Sequence, residues 1–165
     1  MPRQHHPHPA TRGFTLTEVL VAVAIIAILA MMAVPSIQDR LVREQIVESA
    51  KVADVAKSAV ATAWPANGIM PADNTAAGIP AADKIVGNYV SAVTVEAGAV
   101  HVTFGNSANG AIKGKILSFR PAVVEDERVV PVAWVCAHGR VPDKMTAQGR
   151  DRTDIAERYL PMNCR

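Results

Sequence analysis

The fold of this 165-residue chain is decided near its start, where residues 14–34 read FTLTEVLVAVAIIAILAMMAV. From Val19 to Val34 this stretch contains no polar or charged side chain. At about 1.5 Å of rise per residue, a helix of this length covers roughly the 30 Å hydrocarbon core of a bilayer. The alternatives are a buried core helix and a secretory signal peptide. The run is longer than an ordinary signal core and no A-x-A cleavage signal closes it, so we predict a membrane-spanning helix.

The helical pattern continues beyond this stretch but becomes amphipathic. Residues 36–64 contain neither glycine nor proline and are rich in helix formers. Apolar residues recur there every three or four positions and form one stripe: Val42, Ile46, Ala50, Ala53, Ala56, Val60 and Trp64. Pro35, between the two parts, removes one backbone hydrogen bond and favours a kink or local melting. We therefore predict one long helix over residues 14–64, with any interruption at Pro35.

Composition and charge exclude several classes of protein. Half of the residues are hydrophobic, 4% are aromatic and the formal net charge is +2. High apolar content with low net charge excludes extensive disorder, and the charge is too small to indicate nucleic-acid binding on electrostatic grounds. His138 lies close enough in sequence to Cys136 for a thiol–imidazole pair, but no phosphate loop or metal-ligand spacing accompanies it. We predict no enzymatic activity, no cofactor and no metal site.

The first 13 residues, MPRQHHPHPATRG, contain two arginines, three histidines and no acid. A histidine-rich tract can bind metal, but this one lacks fixed geometry, so a basic flank that stays on the cytoplasmic side is the better interpretation. The first acid, Glu18, lies at the start of the apolar stretch. A carboxylate there is costly unless it reaches the membrane interface or has a partner.

Residues 11–20, TRGFTLTEVL, closely resemble the processing site of type IV pilins and the related pseudopilins. The resemblance implies that a membrane-bound prepilin peptidase and methyltransferase cuts after Gly13 and N-methylates the new terminal residue, Phe14. It places the family's glutamate at Glu18 and its helix-breaking proline at Pro35. Residues 1–13 are then a leader, and their removal leaves 15 basic side chains against 15 acidic ones.

The resemblance also implies how the chain is used. In the family, the precursor is a single-pass inner-membrane protein with a cytoplasmic N-terminus and a periplasmic head. Inner-membrane assembly machinery then builds a homopolymer, the cell-surface pilus. The Phe14 amine of one subunit pairs with Glu18 of a neighbour, so that burial of the acid favours docking in register.

The expected function is that of a structural subunit of a type IV pilus, which supports adhesion, twitching motility or DNA uptake. Direct contact with DNA or a host surface stays open at this point. Two alternatives also remain: a pseudopilin of a type II secretion system, and a membrane-anchored binding module that does not polymerise.

Residues 65–165 form the predicted head. Proline and glycine recur over residues 65–87, which indicates an irregular connection, the αβ-loop. Strand patterns follow at Tyr89–Glu96, Ala99–Phe104, Lys115–Val124 and Val129–Cys136. Pro121 and Pro131 fit strand ends or edges. We predict an α+β fold in which the long helix, membrane part 14–34 and amphipathic part 35–64, packs on a small antiparallel sheet, as in pilins.

Cys136 and Cys164 are the only cysteines. An exported head lies in an oxidising compartment, so we expect a disulfide between them, worth about 3–4 kcal/mol in the chain-entropy model. The ending YLPMNC, residues 159–164, resembles the tail of Gram-negative major pilins, where a disulfide-bounded loop is exposed; major pseudopilins generally lack it. The mixed charges of this loop indicate a solvated surface, and the alternative is an adhesive or DNA-contacting role.

Overall fold

The structure, a computed structural model, describes residues 13–165, except for the side chains of residues 34–36. The predicted leader, apart from Gly13, lies outside the described residues. The chain divides into two compact units, with the boundary between Ile37 and Gln38.

In the first unit, the described residues from Leu16 onward form apolar helix. Helix α1 spans Leu16–Val52 and contains an 18-residue window with a mean hydropathy of 2.7, none of it buried. Its large exposed apolar side chains include Leu16, Val19, Leu20, Val21, Val23, Ile25, Ile26, Ile28, Leu29, Met31 and Met32. A helix that is apolar on all sides and has this length is suited to cross a membrane.

The long helix is divided at Ala53, between the end of α1 and the start of α2. Helix α2 spans Asp54–Asn67, and the Ala53 carbonyl still accepts a hydrogen bond from the Lys57 N–H at 2.9 Å. The backbone stays helical across position 35, where the sequence predicts a kink or local melting. The Pro35 side chain lies outside the described residues, so local melting in an assembled subunit stays a prediction.

The helical region ends later than residue 64. Pro65 lies inside the last turn of α2, and Gly68 follows the helix with a φ of 68°. Its N–H donates to the Trp64 carbonyl at 2.8 Å and so closes the turn. Glycine adopts this left-handed conformation without a steric penalty, which makes it a common helix terminator.

The head contains one antiparallel sheet. Its strands are β1 (Val90–Glu96), β2 (Ala99–Phe104), β3 (Ile116–Val123), β4 (Ala133–Cys136) and β5 (Thr146–Ala147). They lie in the order β1-β2-β3-β4, and β5 also pairs with β3. The β1–β2 turn places Ala97 at φ 47° and Gly98 at φ 82°, as the two-residue hairpins with positive φ require. Short 3₁₀ turns occur at Ala82–Lys84, Glu157–Tyr159 and Met162–Cys164.

Pro121 lies inside β3 and not at a strand end, which corrects the expectation from sequence. Ala122 pairs with both β4 and β5, so these two strands lie on opposite edges of β3. Pairing with β2 stops at Phe119, and the Pro121 carbonyl accepts from the Gln148 N–H at 2.8 Å. The Pro121 nitrogen lies on the same edge of β3 as this carbonyl, past the end of the pairing with β2, so no hydrogen bond of the β2–β3 ladder is lost. The last predicted strand is also shorter, since β4 begins at Ala133.

The amphipathic stripe packs on the sheet, as the sequence predicts. The core cluster contains, from the helices, Val42, Ile46, Ala53, Ala56 and Val60, and from the sheet, Val93, Val95, Val100, Val102, Phe104, Leu117 and Phe119. Ala50 packs against this cluster and Trp64 is also buried. The α+β fold, with a long N-terminal apolar helix packed on a small antiparallel sheet, is confirmed.

We expect Val60→Ala to destabilise the head by about 2 kcal/mol, because it removes two buried methyl groups and leaves a cavity. Val60 is 0% exposed. The matched control is Val55→Ala in the same helix, where the side chain is 54% exposed and the loss should stay within about 0.5 kcal/mol. Denaturant titration of the detergent-solubilised chain, followed by tryptophan fluorescence, measures both. Equal losses would contradict the packing of this helix face.

Candidate functional site

The start of α1 is closed by a reciprocal pair of side chains. The helix begins at Leu16, which makes Thr15 the N-cap residue and Glu18 the third helical residue. The Thr15 N–H donates to Glu18 Oε2 at 2.9 Å, and the Glu18 N–H donates to Thr15 Oγ1 at 3.3 Å. The Thr15 hydroxyl also donates to Oε2, at 2.8 Å. This is a capping box, and it satisfies N–H groups that the helix itself leaves unpaired.

The capping box uses only one oxygen of the Glu18 carboxylate. Both bonds from Thr15 reach Oε2, and Oε1 accepts no hydrogen bond from any residue in the described part of the chain. Glu18 lies on the same side of the helix as Phe14, Val21 and Ile25, in line with their spacing of three and four residues. An acid with one unsatisfied oxygen therefore lies on a mostly apolar helix face.

Sequence reasoning identifies Glu18 but misses Thr15. The Thr-x-x-Glu spacing directly ahead of an apolar run is the signal that identifies a capping box. Next to it, Phe14 is 86% exposed, and a Cβ added to Gly13 would meet no atom within 4 Å. Cleavage between these two residues and methylation of Phe14 stay predictions.

At the other end of the chain, a disulfide joins Cys136, the last residue of β4, to Cys164 in the final 3₁₀ turn, 28 residues later. This is the pairing predicted from sequence. Both cysteines are buried, and the His138 N–H donates to the Cys164 carbonyl at 3.2 Å. The C-terminal residues are thereby attached to the edge of the sheet.

Part of the disulfide-bounded loop is hydrogen-bonded to β3, while its charged residues are exposed apart from the half-buried Asp151, as predicted for a solvated loop of mixed charge. The Ser118 N–H donates to Thr153 Oγ1 at 3.1 Å, and the Ile116 N–H donates to Asp154 Oδ1 at 2.6 Å. The Asp154 N–H returns a bond to the Ile116 carbonyl at 3.2 Å. Residues 152–154 thus continue the hydrogen bonding of the strand, whereas Arg140 and Asp143 form the expected exposed ion pair.

A buried histidine connects this loop to the sheet. His101 Nδ1 is 2.9 Å from Ser118 Oγ, which accepts a bond from the Arg152 N–H at 2.9 Å. His101 Nε2 is 3.7 Å from Glu96 Oε2, and the Arg152 guanidinium donates to the same oxygen at 2.9 Å. Burial, followed by the positive charge of Arg152, lowers the pKa of His101, although Glu96 and Asp151 act in the opposite direction. The buried imidazole is therefore neutral at pH 7.

His138 pairs with Asp151 and not with a thiol, since Cys136 is bonded to Cys164. His138 Nδ1 lies 3.1 Å from Asp151 Oδ2. Burial raises the pKa of Asp151, but hydrogen bonds from Thr153 and the charges of His138 and Arg120 together lower it below its ordinary value. Within residues 13–165, no three His, Cys, Asp or Glu side chains lie close enough together to hold a metal ion.

Comparison with known proteins assigns these two ends of the chain to one family. Residues 42–165 match the family Pilin, described as a bacterial filament protein. The chain belongs to the pilin family. Residues 9–34 match the prokaryotic N-terminal methylation motif, which includes Gly13, Phe14 and Glu18.

Known relatives of this pilin cover nearly its full length. The type IV major pilin protein PilE of Neisseria gonorrhoeae is 37% identical, over 93% of each chain. A fimbrial protein of Neisseria meningitidis serogroup B is 35% identical, over 93% of this chain and 94% of its own. The fimbrial protein EcpC of Eikenella corrodens is 32% identical, over 93% and 90%. The predicted resemblance is confirmed: this pilin is a structural subunit from a family of filament proteins, not an enzyme family.

The pilin family and the methylation motif together imply polymerisation into pili and processing of the N-terminus. The apolar helix and the motif fit a membrane-anchored precursor and a pilus on the cell surface.

We expect the head to lose stability as pH falls below about 6.5, the ordinary histidine value. The pKa of His101 is lower in the folded chain than in the unfolded one, so the unfolded chain binds the extra proton first. The loss of stability grows as pH falls further, until pH reaches the pKa that His101 has in the folded chain. Asp151 acts in a lower range: its stabilising contribution is present above about pH 4 and is lost below it.

Thermal unfolding between pH 7.5 and 5 measures the contribution of His101 to the pH dependence of stability. His101→Gln should flatten the fall in unfolding temperature, even if it lowers that temperature at every pH. The control is His138→Gln, which removes the half-exposed histidine and should leave the fall in place. A His101→Gln chain with the full pH dependence would refute the assignment.

Proposed function

We propose that this pilin is assembled into a type IV pilus through Glu18. The observation that carries the proposal is that Glu18 is the single charged residue between Phe14 and Gln38, on an apolar helix whose side chains are exposed. A carboxylate in an apolar layer needs an interface or a partner of opposite charge. Oε1 has no partner in the described part of the chain, which supports a partner from a second subunit.

The partner in this proposal is the amine that processing creates. Prepilin peptidase cuts after Gly13, where the open space around the glycine supports access to the backbone. Methylation of Phe14 keeps the positive charge of its nitrogen. The amine of one subunit then pairs with Oε1 of a neighbour's Glu18, while Thr15 holds Oε2. Leaving the acid unpaired in a packed core is costly, so only subunits in register satisfy it.

This proposal gives each part of the chain a role. Residues 1–13 are the removed leader, residues 14–34 serve first as membrane anchor and then as filament core, and residues 35–64 carry the head on their apolar stripe. Local melting at Pro35 would let the helix stretch on packing. The head, residues 65–165, includes the αβ-loop, the sheet and the disulfide-bounded loop. Loss of Arg3 and Arg12 makes the mature chain formally neutral, which removes long-range repulsion in a dense polymer.

The route and the partners follow from the same proposal. The precursor crosses the inner membrane once, with the basic leader in the cytoplasm and the head in the periplasm. It meets the prepilin peptidase and methyltransferase, then the inner-membrane assembly machinery, and finally other copies of itself. Relatives named as major pilins and fimbrial proteins favour a pilus subunit over a pseudopilin or a non-polymerising binding module.

Adhesion, twitching motility and DNA uptake are the proposed uses of the filament. Lys144 and Arg150 support contact with an anionic surface, DNA or host, because both are exposed and neither makes an ion pair with a described residue. Adherence, motility and transformation assays of a strain that carries Lys144→Ala and Arg150→Ala distinguish these uses, provided that filament number is unchanged.

We expect Glu18→Ala to abolish filament assembly while the protein remains in the membrane, because the neighbour's amine then has no carboxylate to pair with. Electron microscopy and the yield of sheared filaments measure assembly, and membrane fractionation measures insertion. The control is Thr17→Ala, a neighbouring polar residue whose hydroxyl contacts Thr15 Oγ1 at 3.1 Å but makes no hydrogen bond to the Glu18 carboxylate. Normal filaments from Glu18→Ala would rule out assembly through this acid.

We expect Gly13→Val to keep residues 1–13 attached, because a β-branched side chain obstructs approach to the bond that is cut. Intact-mass analysis of filaments from the unchanged chain should give a mass that starts at Phe14, with one added methyl group and the disulfide. The Gly13→Val chain, extracted from membranes, should keep its leader. A variant whose mass matches loss of residues 1–13 would refute the cleavage site.

A further inference from the structure

A groove lies between the helix and the C-terminal residues of the head. Its inner part, about 160 Å³, is lined mainly by apolar atoms of Ile46, Val47, Leu117, Phe119 and Pro161. It continues into a wider cleft of about 750 Å³ along helix residues 40–51, and the two parts share Val47 and Pro161. We call the two parts together the helix groove.

The rim of the helix groove carries excess positive charge. Arg40 and Glu44 neutralise each other at 3.1 Å. Arg43 donates two hydrogen bonds to a backbone carbonyl oxygen, at 2.6 and 3.0 Å, and forms no ion pair with a carboxylate of residues 13–165. Lys51 makes no ion pair with any residue that the structure describes, which leaves Glu48 as the one remaining acid on the rim. The rim therefore favours an acidic partner.

The loop between β3 and β4 has the opposite chemistry. Glu125, Asp126 and Glu127 are consecutive and exposed, and none of them forms an ion pair with another residue in the described range 13–165. The Arg128 guanidinium lies directly against Gly68 at the end of α2, so the loop's one cation faces its own helix. Val129 follows and is 90% exposed. An acidic turn and a projecting apolar side chain thus lie side by side.

We infer that this loop, residues 125–129, docks into the helix groove of a second copy of the chain. Val129 enters the apolar inner part, and the three acids face the basic rim. A cavity of about 150 Å³ holds a molecule of benzene, so the inner part is large enough for a valine side chain. Docking would also remove from water the apolar surface that Val129 now exposes.

The inferred contact is between two unlike surfaces, the loop of one copy and the groove of the next. The groove lies along helix residues 40–51, whereas the segment that continues the loop packs beside Ala61 and Pro65 of α2. Ten helical residues separate the end of the groove at residue 51 from Ala61, which corresponds to about 15 Å along the helix. A contact between unlike surfaces repeats from copy to copy and builds an open filament when it does not close into a ring. The inference rests on the proposed function and adds a contact between heads to the pairing at Glu18.

A cross-linking experiment on filaments tests the contact directly. The photoreactive residue p-benzoylphenylalanine replaces Val129 in the full chain, and sheared filaments are irradiated. We expect a dimer whose cross-linked peptide joins position 129 to residues 40–51 or 161–164 of another copy. The matched control places the same residue at Val86, which is 53% exposed and outside both surfaces, and should give no such peptide.

Charge reversal tests the electrostatic part. Asp126→Lys and Lys51→Glu should each lower the yield of sheared filaments at least fivefold, and the double variant should restore it. Such rescue cannot arise from misfolding, and thermal unfolding checks that each head stays folded. Filaments without the expected cross-link, or single variants with the unchanged yield, would overturn this inference alone. Absence of filaments from the unchanged chain would overturn the proposed function and this inference with it.

Discussion

The assembly proposed for this pilin depends on one carboxylate in an apolar helix. Glu18 is the only charge between Phe14 and Gln38, and a membrane or a packed helical core gives it no water. The capping box with Thr15 satisfies Oε2 and fixes the acid at the first turn of the helix. In the proposed assembly, its second oxygen pairs with the amine of a neighbouring subunit. A side chain that costs free energy when alone would thereby determine the register of the subunits.

The same helix serves two environments because its pattern changes along its length. Before Ile37 it is apolar on all sides, whereas from Val42 onward only one stripe is apolar and that stripe is buried against the sheet. The disulfide and the bonds of residues 152–154 to β3 fix the C-terminal residues on the same sheet. The surfaces of the head are therefore held by covalent and hydrogen bonds, which lets one subunit present them repeatedly to the next.

Local patterns were sufficient to predict much of this structure. The alternation of β1 and β2 and the Ala97-Gly98 turn identify the hairpin, and the spacing from Val42 to Trp64 identifies the buried helix face. Other features depend on tertiary arrangement. Strand β5 has two residues, too few to show a period. Pro121 is tolerated inside β3 because it lies past the end of the pairing with β2, a property of topology. Thr15 differs from these cases, because the Thr-x-x-Glu spacing that identifies its capping box is local in sequence.

Net charge and local charge have separate consequences in such a subunit. A mature chain with balanced charges does not repel its copies over the distances between subunits, but neutrality alone specifies no orientation. Orientation requires that the balancing charges lie apart on the surface. Here three acids without an ion pair among the described residues lie at one loop, and the rim of the helix groove carries a small excess of positive charge. Because attraction between exposed charges is screened within about 10 Å, these groups act only at contact. In the inferred head contact they would therefore select the orientation of neighbouring heads, while the proposed filament core of apolar helices supplies the cohesion.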